Sequence, residues 1–332
     1  MKKLMLSAAC GAVLAFSSAA SAADLELKLA TIAPEGTPWM GYLAKWEAAV
    51  EEASGGSIDI QIFHSGQLGN EFDTYSQVRR GRIDAGLFSA QTLAGNVPEV
   101  SLMSTPFLFD NVETIDCVYD GEFGDMLEGK IEEQGFEIMT WNDAGWVNMF
   151  GQDDLSDVAA AEGYKVRVAP HGMSRLLWNS AGALGTEMPF SDIPSAMQTG
   201  LVRAGESATI VYVAMGLSKI GPHLTLANHS HQAGALAMSA KVWESMTDEQ
   251  RAILSDNLPP LAELRASVRG TEAFLVNKFK EAGGALHIPT DEQRAAWVEK
   301  VSANYPQFVA DLGGDSEAAW EQLMAAKAAC EQ

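Results

Sequence analysis

The chain has 332 residues, of which 47% are hydrophobic and 20% charged, a composition typical of a globular protein. Its 44 acidic residues outnumber its 22 basic residues and give a formal net charge of -22. Because a surface this negative repels phosphate backbones, nucleic acid is not expected as a partner. The sequence lacks the P-loop, dinucleotide-binding, zinc-hydrolase, paired-cysteine and serine-nucleophile motifs. No cofactor is therefore expected, and an enzyme is disfavoured but not excluded.

The first residues predict a secretory signal peptide. Lys2 and Lys3 precede an uncharged apolar run, and residues 20–22 (Ala-Ser-Ala) form a small-x-small cleavage pattern. A membrane anchor is the alternative, but the apolar run is shorter than the ~20 residues that a bilayer requires. We therefore expect residues 1–22 to be removed and the mature chain to be exported to the periplasm.

The cysteines are consistent with export. Cys10 would leave with the signal peptide, so Cys117 and Cys330 remain as a pair in an oxidising compartment. We expect a disulfide that ties the C-terminal helix to the first lobe of the protein. Two separate buried thiols are the alternative.

The first part of the mature chain alternates strands and helices. Apolar residues at every second position predict strands, and apolar residues at helical spacing predict helices. The predicted elements are strand Leu25–Ile32, helix Trp39–Ala53, strand Ile58–Phe63, helix Glu71–Arg80 and strand Ile83–Phe88. This alternation favours a parallel or mixed sheet covered by helices on both faces.

A second set of strands follows, and the last third of the chain is helical. The predicted elements are strands Glu137–Trp141, Val147–Phe150, Lys165–Val168, Ala204–Thr209 and Leu224–Met238, with helices near Ser174–Ala181 and Ser195–Gly200. Thr247 begins a later helix as its N-cap, and Pro259 and Pro260 must interrupt the helical region. The fold class is therefore α/β with two lobes, a hinge and an interlobe cleft, which is the default place for a ligand.

Two charged residues on predicted strands are candidates for binding. Arg167 lies in an apolar strand, and its planar guanidinium can bind a carboxylate through two parallel hydrogen bonds. An ion pair with an acid inside the protein is the alternative. Glu206 ends another strand, where it could accept a hydrogen bond from a ligand hydroxyl or ammonium. Its alternative is an internal pair with Arg203 or Lys165.

A metal site is not expected. His229 and His231 would share one face of a strand, which places two imidazoles close together. Two histidines without a nearby carboxylate or cysteine are too few to hold a metal ion.

Several segments, in order, resemble the DctP-type solute-binding proteins of TRAP (tripartite ATP-independent periplasmic) transporters. The segments are Ile60–Glu71, Gln77–Ala85, Pro98–Glu99, Thr105–Phe109, Gly163–Val168, Met188–Asp192 and Ala196–Gly200. The resemblance covers essentially the whole mature chain and implies the two-lobed periplasmic-binding-protein architecture. It implies a first lobe of residues 23–143 plus about 233–272 and a second lobe of residues 144–232 plus about 273–332.

The resemblance also implies the residues of the ligand site. Arg167 takes the position of the family's arginine that clamps a ligand carboxylate, and Phe190 that of a residue lining the ligand. Trp146 stands where many members have a second cleft arginine, so we expect the ligand to carry one carboxylate. The further expected ligand-binding residues are Glu206, Ser207, Trp39, Glu35, Ser89, Ala90 and Gln91.

The function that these observations predict is transport. We expect an extracytoplasmic, monomeric binding protein that captures a small organic acid, a monocarboxylate, and delivers it to the membrane permease of a TRAP transporter. A periplasmic enzyme that uses Glu206 and a histidine is one alternative. A subunit that presents ligand to a sensor is the other.

Overall fold

The computed structural model describes residues 23–170 and 172–332, so the predicted signal peptide lies outside the described residues. Nine strands form one mixed sheet: β1 Leu25–Thr31, β2 Ile58–Phe63, β3 Ala85–Ser89, β4 Phe136–Gly151, β5 Lys165–Val168, β6 Leu184–Glu187, β7 Ala204–Ala208, β8 His223–Ser239 and β9 Ala285–His287. Their order is β2-β1-β3-β8-β4-β7-β5-β6, and β9 pairs with β8. The first three strands are parallel to one another, as are β5, β6 and β7.

Helices cover this sheet: α1 Pro38–Ser54, α2 Glu71–Arg79, α3 Ala90–Leu93, α4 Val112–Tyr119, α5 Glu122–Glu132, α6 Gly172–Ser180, α7 Ile193–Gln198, α8 Thr209–Ala214, α9 Ala240–Ser245, α10 Asp248–Asp256, α11 Leu261–Glu281, α12 Asp291–Ser302, α13 Tyr305–Leu312 and α14 Ser316–Cys330. Helix α1 buries its apolar stripe, which includes Trp46 and Val50, against the sheet. Gly55 ends α1 in a left-handed conformation, with φ of 62°. None of the described helices has the length and apolarity needed to cross a membrane.

The long antiparallel strands β4 and β8 connect the two parallel groups. They contain 16 and 17 residues and pair along most of their length. The sequence predicted two strands, Glu137–Trp141 and Val147–Phe150, and this prediction was wrong because β4 continues through both. Its pairing with β8 shifts register between Asp143 and Gly145. The hydrogen-bonded pairing with β8 therefore continues, while the alternation of apolar residues along β4 is interrupted.

The C-terminal helices brace the sheet from outside. Thr247 caps α10 through a capping box with Gln250, and the helical region breaks at the two prolines before α11, as predicted. Helix α11 packs against α1, β4 and α8. Helix α14 packs against α4 and α5, where Cys330 is joined to Cys117 by a disulfide with a Cα–Cα distance of 5.9 Å.

His229 on β8 is a buried base that predicts an acid-sensitive fold. Its ring is 0% exposed and neither ring nitrogen has a hydrogen-bond partner among the described residues. Burial, reinforced by the charge of Arg294, lowers the pKa of His229 from 6.5 to about 3. Below its ordinary pKa the unfolded chain therefore binds a proton that the folded chain does not, so stability is lost as the pH falls.

The expected loss from His229 is about 1.4 kcal/mol of unfolding free energy per pH unit below about pH 6. Urea denaturation of the wild type and of His229→Leu at several pH values would measure it. The unfolding free energy of the wild type should fall more steeply with decreasing pH than that of His229→Leu. A control that replaces the partly exposed His64 by leucine should keep the steep slope of the wild type. Parallel pH profiles for the wild type and His229→Leu would contradict the assignment.

Candidate functional site

A cavity of about 580 Å³ lies between the two parallel strand groups. The loops that follow β1, β2 and β3 form one wall, and β5, β7 and the segment before α7 form the other. Seven of the ten predicted ligand-binding residues line it: Arg167, Phe190, Glu206, Ser207, Trp39, Ser89 and Gln91. The predicted cleft is therefore present, and most of its predicted residues come together there.

Arg167 is positioned by strand β5 and held from three sides. Arg167 is 3% exposed, and its Nε donates a hydrogen bond to the carbonyl oxygen of Met188 at 3.1 Å. Its guanidinium lies 5.7 Å from the ring centroid of Phe190. The Nη1 atom lies 3.7 Å from Glu206 Oε1. No hydrogen bond from the described residues engages Nη1 or Nη2, so the guanidinium retains donors for a ligand carboxylate.

Glu206 supports Arg167 from the adjacent strand β7. Its Oε1 accepts a hydrogen bond from Ser174 Oγ at 2.5 Å, and its Oε2 accepts one from the indole of Trp178. Burial raises the pKa of Glu206, while Arg167 and the two hydrogen bonds oppose that shift. Because Ser174, Trp178 and Arg167 surround its carboxylate, Glu206 is suited to orient Arg167.

The partner of Glu206 differs from the two that the sequence suggested. Arg203 instead pairs with Asp153 at 2.5 Å, and Lys165 is exposed at the start of β5. The predictions that Arg167 and Glu206 lie on strands are correct. The parallel pairing of β5 with β7 then brings Arg167 beside Glu206. The alternative of an internal ion pair is thus realised at the wall of the cavity itself.

The structure does not bring three of the predicted residues to the cavity. Trp146 lies beyond the register shift in β4, and its ring packs edge-on against His231 with centroids 5.5 Å apart. A register shift changes the face to which the following side chains point, which explains the misplacement. Glu35 is exposed in the turn before α1, and Ala90 is buried at the start of α3.

The sequence analysis missed several polar lining residues. Glu71 and Asp73 reach the cavity from the first turn of α2, while Asn142 and Gln232 reach it from β4 and β8. Glu71 lies in one of the segments that carry the family resemblance, which was a usable signal. The paired strands β4 and β8 supply the two amides, and that pairing could not be seen from sequence.

The cavity is suited to binding an anion through a single cationic side chain. Among the described residues, Arg167 is the one lysine or arginine that lines it. The described residues also contain no group of three or more His, Cys, Asp or Glu side chains that could hold a metal ion. The arrangement therefore offers a carboxylate receptor with aromatic and amide neighbours.

Comparisons with known proteins agree with this geometry. The profile of the family described as bacterial extracellular solute-binding protein, family 7 (DctP) matches residues 29–311. The C4-dicarboxylate-binding periplasmic protein DctP of Rhodobacter capsulatus is 24% identical over 312 residues, which cover 92% of this chain and 93% of that protein. The family resemblance seen in the sequence is thereby confirmed.

Solved structures show the same fold. A TRAP periplasmic solute-binding protein of Haemophilus influenzae with bound L-gulonate has a TM-score of 0.86 at 17% identity, covering 91% of this chain and 99% of that one. Another, from Sulfurospirillum deleyianum with bound succinate, has a TM-score of 0.85 at 23% identity, covering 92% and 99%. These similarities confirm the α/β architecture with two lobes and an interlobe cleft.

Proposed function

Because the chain belongs to the DctP family of bacterial extracellular solute-binding proteins, we propose that it captures a small organic acid and delivers it to the permease of a TRAP transporter. The relatives support the ligand class, since their names and bound ligands include C4-dicarboxylates, L-gulonate and succinate. The single observation that carries the proposal is the guanidinium of Arg167, which is buried in the cleft wall yet keeps donors free for a carboxylate.

The ligand in this proposal carries one carboxylate. Arg167 is the one cationic lysine or arginine that the described residues place at the cavity, and Glu206 beside it already offsets its charge. A second carboxylate would enter a partly enclosed space without a second cation, which is electrostatically unfavourable. Phe190 and Trp39 provide apolar surface for the remainder of the ligand.

Ligand binding in this proposal closes the two lobes. The first lobe is residues 23–143 plus about 233–272, and the second is residues 144–232 plus about 273–332. Trp39, Ser89 and Gln91 would then approach the ligand from the first lobe, and Arg167 from the second. A ligand that contacts both walls favours the closed arrangement because its extra contacts exist only there.

The remaining parts of the proposal concern the location of the protein and the fate of its ligand. The protein acts as an exported monomer in the periplasm after removal of residues 1–22, and it binds without converting its ligand. Solute binding is the family's described role, which favours transport over the alternative of a periplasmic enzyme. Adjacent permease genes would separate transport from a sensor subunit.

A thermal-shift screen over organic acids tests the function. An acid present at ~100 times its dissociation constant should stabilise the mature protein by ~2.7 kcal/mol. Solution scattering with that acid should show a smaller radius of gyration, and chromatography should recover the acid unchanged. If no organic acid stabilises the protein, or if a product accumulates, the proposed function is wrong.

A further inference from the structure

The first-lobe wall of the cavity contains a carboxylate that the protein holds by donors alone. Glu71 Oε1 accepts a hydrogen bond from the backbone N–H of Ser89 at 2.7 Å. Its Oε2 accepts from Ser89 Oγ and from Thr92 Oγ1, both at 2.6 Å. Ser89 Oγ in turn accepts from the backbone N–H of Thr92, so its own hydrogen is directed to Glu71. All three contacts match the ionised form of Glu71.

Among the described residues, no cation pairs with the carboxylate of Glu71. Burial raises the pKa of Glu71, and the groups that oppose this are Ser89 and Thr92, with no arginine, lysine or histidine among them. Asp73, which also lines the cavity, is paired with the amide of Asn70 at 2.7 Å, again without a cation. Arg167 differs, because its charge is already offset by Glu206.

A second, independent observation at the same cavity indicates a missing donor. Asn142 on β4 lines the cavity and is 8% exposed. Its Oδ1 is buried and accepts no hydrogen bond from the described residues. A buried acceptor without a donor is costly, so a ligand that brings a donor to this region relieves that cost.

We propose that Glu71 is the specificity-determining residue of the cleft, accepting a hydrogen bond from a hydroxyl or ammonium group of the ligand and excluding a second carboxylate. The inference rests on the proposed function, because it assumes that Arg167 binds the first carboxylate of an organic acid. A carboxylate offers about four acceptor positions, and the protein fills three of those on Glu71. One position remains for a ligand donor, and none is available to another acceptor.

The discrimination against a second carboxylate should be large. Two unit charges repel with an energy worth about tenfold in affinity even at roughly 10 Å, when the effective dielectric constant is about 20. Replacing Glu71 by glutamine removes this charge and keeps the size of the side chain. The affinity of a diacid relative to its matched monoacid should therefore rise by about tenfold or more.

Calorimetry with matched acids tests the inference. The pairs are gluconate with glucarate, galactonate with galactarate, and γ-hydroxybutyrate with succinate, and γ-aminobutyrate supplies an ammonium in place of the hydroxyl. Each is titrated into the wild type, Glu71→Gln, Asp73→Asn and Ser89→Ala. Ser89→Ala removes one donor from the same cluster without changing its charge, so a merely structural role for Glu71 would make the two variants alike.

The expected result is a preference for the monoacids in the wild type that Glu71→Gln alone removes or reverses. Ser89→Ala should weaken monoacids and diacids together, and Asp73→Asn, at an exposed position, should change their ratio less. Under the inference γ-aminobutyrate loses more affinity than γ-hydroxybutyrate in Glu71→Gln, because the ammonium also loses a charge contact. A diacid-to-monoacid ratio that is the same in the wild type and Glu71→Gln overturns the inference alone. Binding of no acid to any variant overturns the proposed function, and the inference with it.

Discussion

Replacement of Arg167 by alanine is expected to weaken organic-acid binding by about 2–5 kcal/mol. Much of this loss is the cost of leaving the ligand carboxylate in the cleft without a cation, because Arg167 is the one lysine or arginine that the described residues place there. Titration calorimetry of the wild type and the variant, with the strongest acid from the thermal-shift screen, would measure the change in dissociation constant.

The design must separate lost binding from lost folding, because Arg167→Ala also leaves the buried carboxylate of Glu206 without its cation. Arg167→Lys keeps a positive charge but loses the planar pair of donors, so its affinity should fall between those of the wild type and Arg167→Ala. Arg175→Ala is the matched control, since this exposed arginine pairs with Glu187. Unchanged affinity in a folded Arg167→Ala protein would refute the assignment of Arg167.

Loss of the disulfide between Cys117 and Cys330 is expected to lower the free energy of unfolding by up to about 5 kcal/mol. The bridge joins residues separated by 213 positions, and closing so long a loop restricts the unfolded chain strongly. Urea denaturation of the oxidised protein and of the variant with both cysteines replaced by serine would measure the difference.

Two controls sharpen the disulfide experiment. A reductant should destabilise the mature wild type to about the level of the double variant and should leave the double variant unchanged. Neither cysteine lines the cavity, so the affinity for organic acid should be retained in the folded double variant. Equal stability of the oxidised and reduced wild type would show that the bridge contributes nothing.

Strands with clear alternation could be predicted well from the sequence. The bounds of β2 and β5 agree with the prediction at every residue, because their local pattern and their burial coincide. The prediction of β4 failed because Asn142, Asp143 and Gly145 read as a polar break between two strands. In the structure that break is a register shift within one continuous ladder, which depends on the partner strand β8.

The contacts of the site residues were likewise hard to predict from the sequence. Glu71 looks in the sequence like an acid that stabilises the first turn of α2, and its contact with Ser89 depends on tertiary packing. For Glu206 the sequence suggested Arg203, which is close along the chain, or Lys165, which lies on the same strand as Arg167. Its actual partner, Arg167, lies on a neighbouring strand in space. Contacts between strands carry no local sequence signal, so such partners could not be predicted.

The crossing of both lobes by β4 and β8 determines how the cleft can move. These strands run as one hydrogen-bonded ladder through the junction, with 16 and 17 residues, and α11 packs against β4. Separation of the walls must therefore bend and twist a paired ribbon instead of turning about one free backbone bond. Opening of the cleft is therefore coupled to the hydrogen-bonded pairing of β4 with β8.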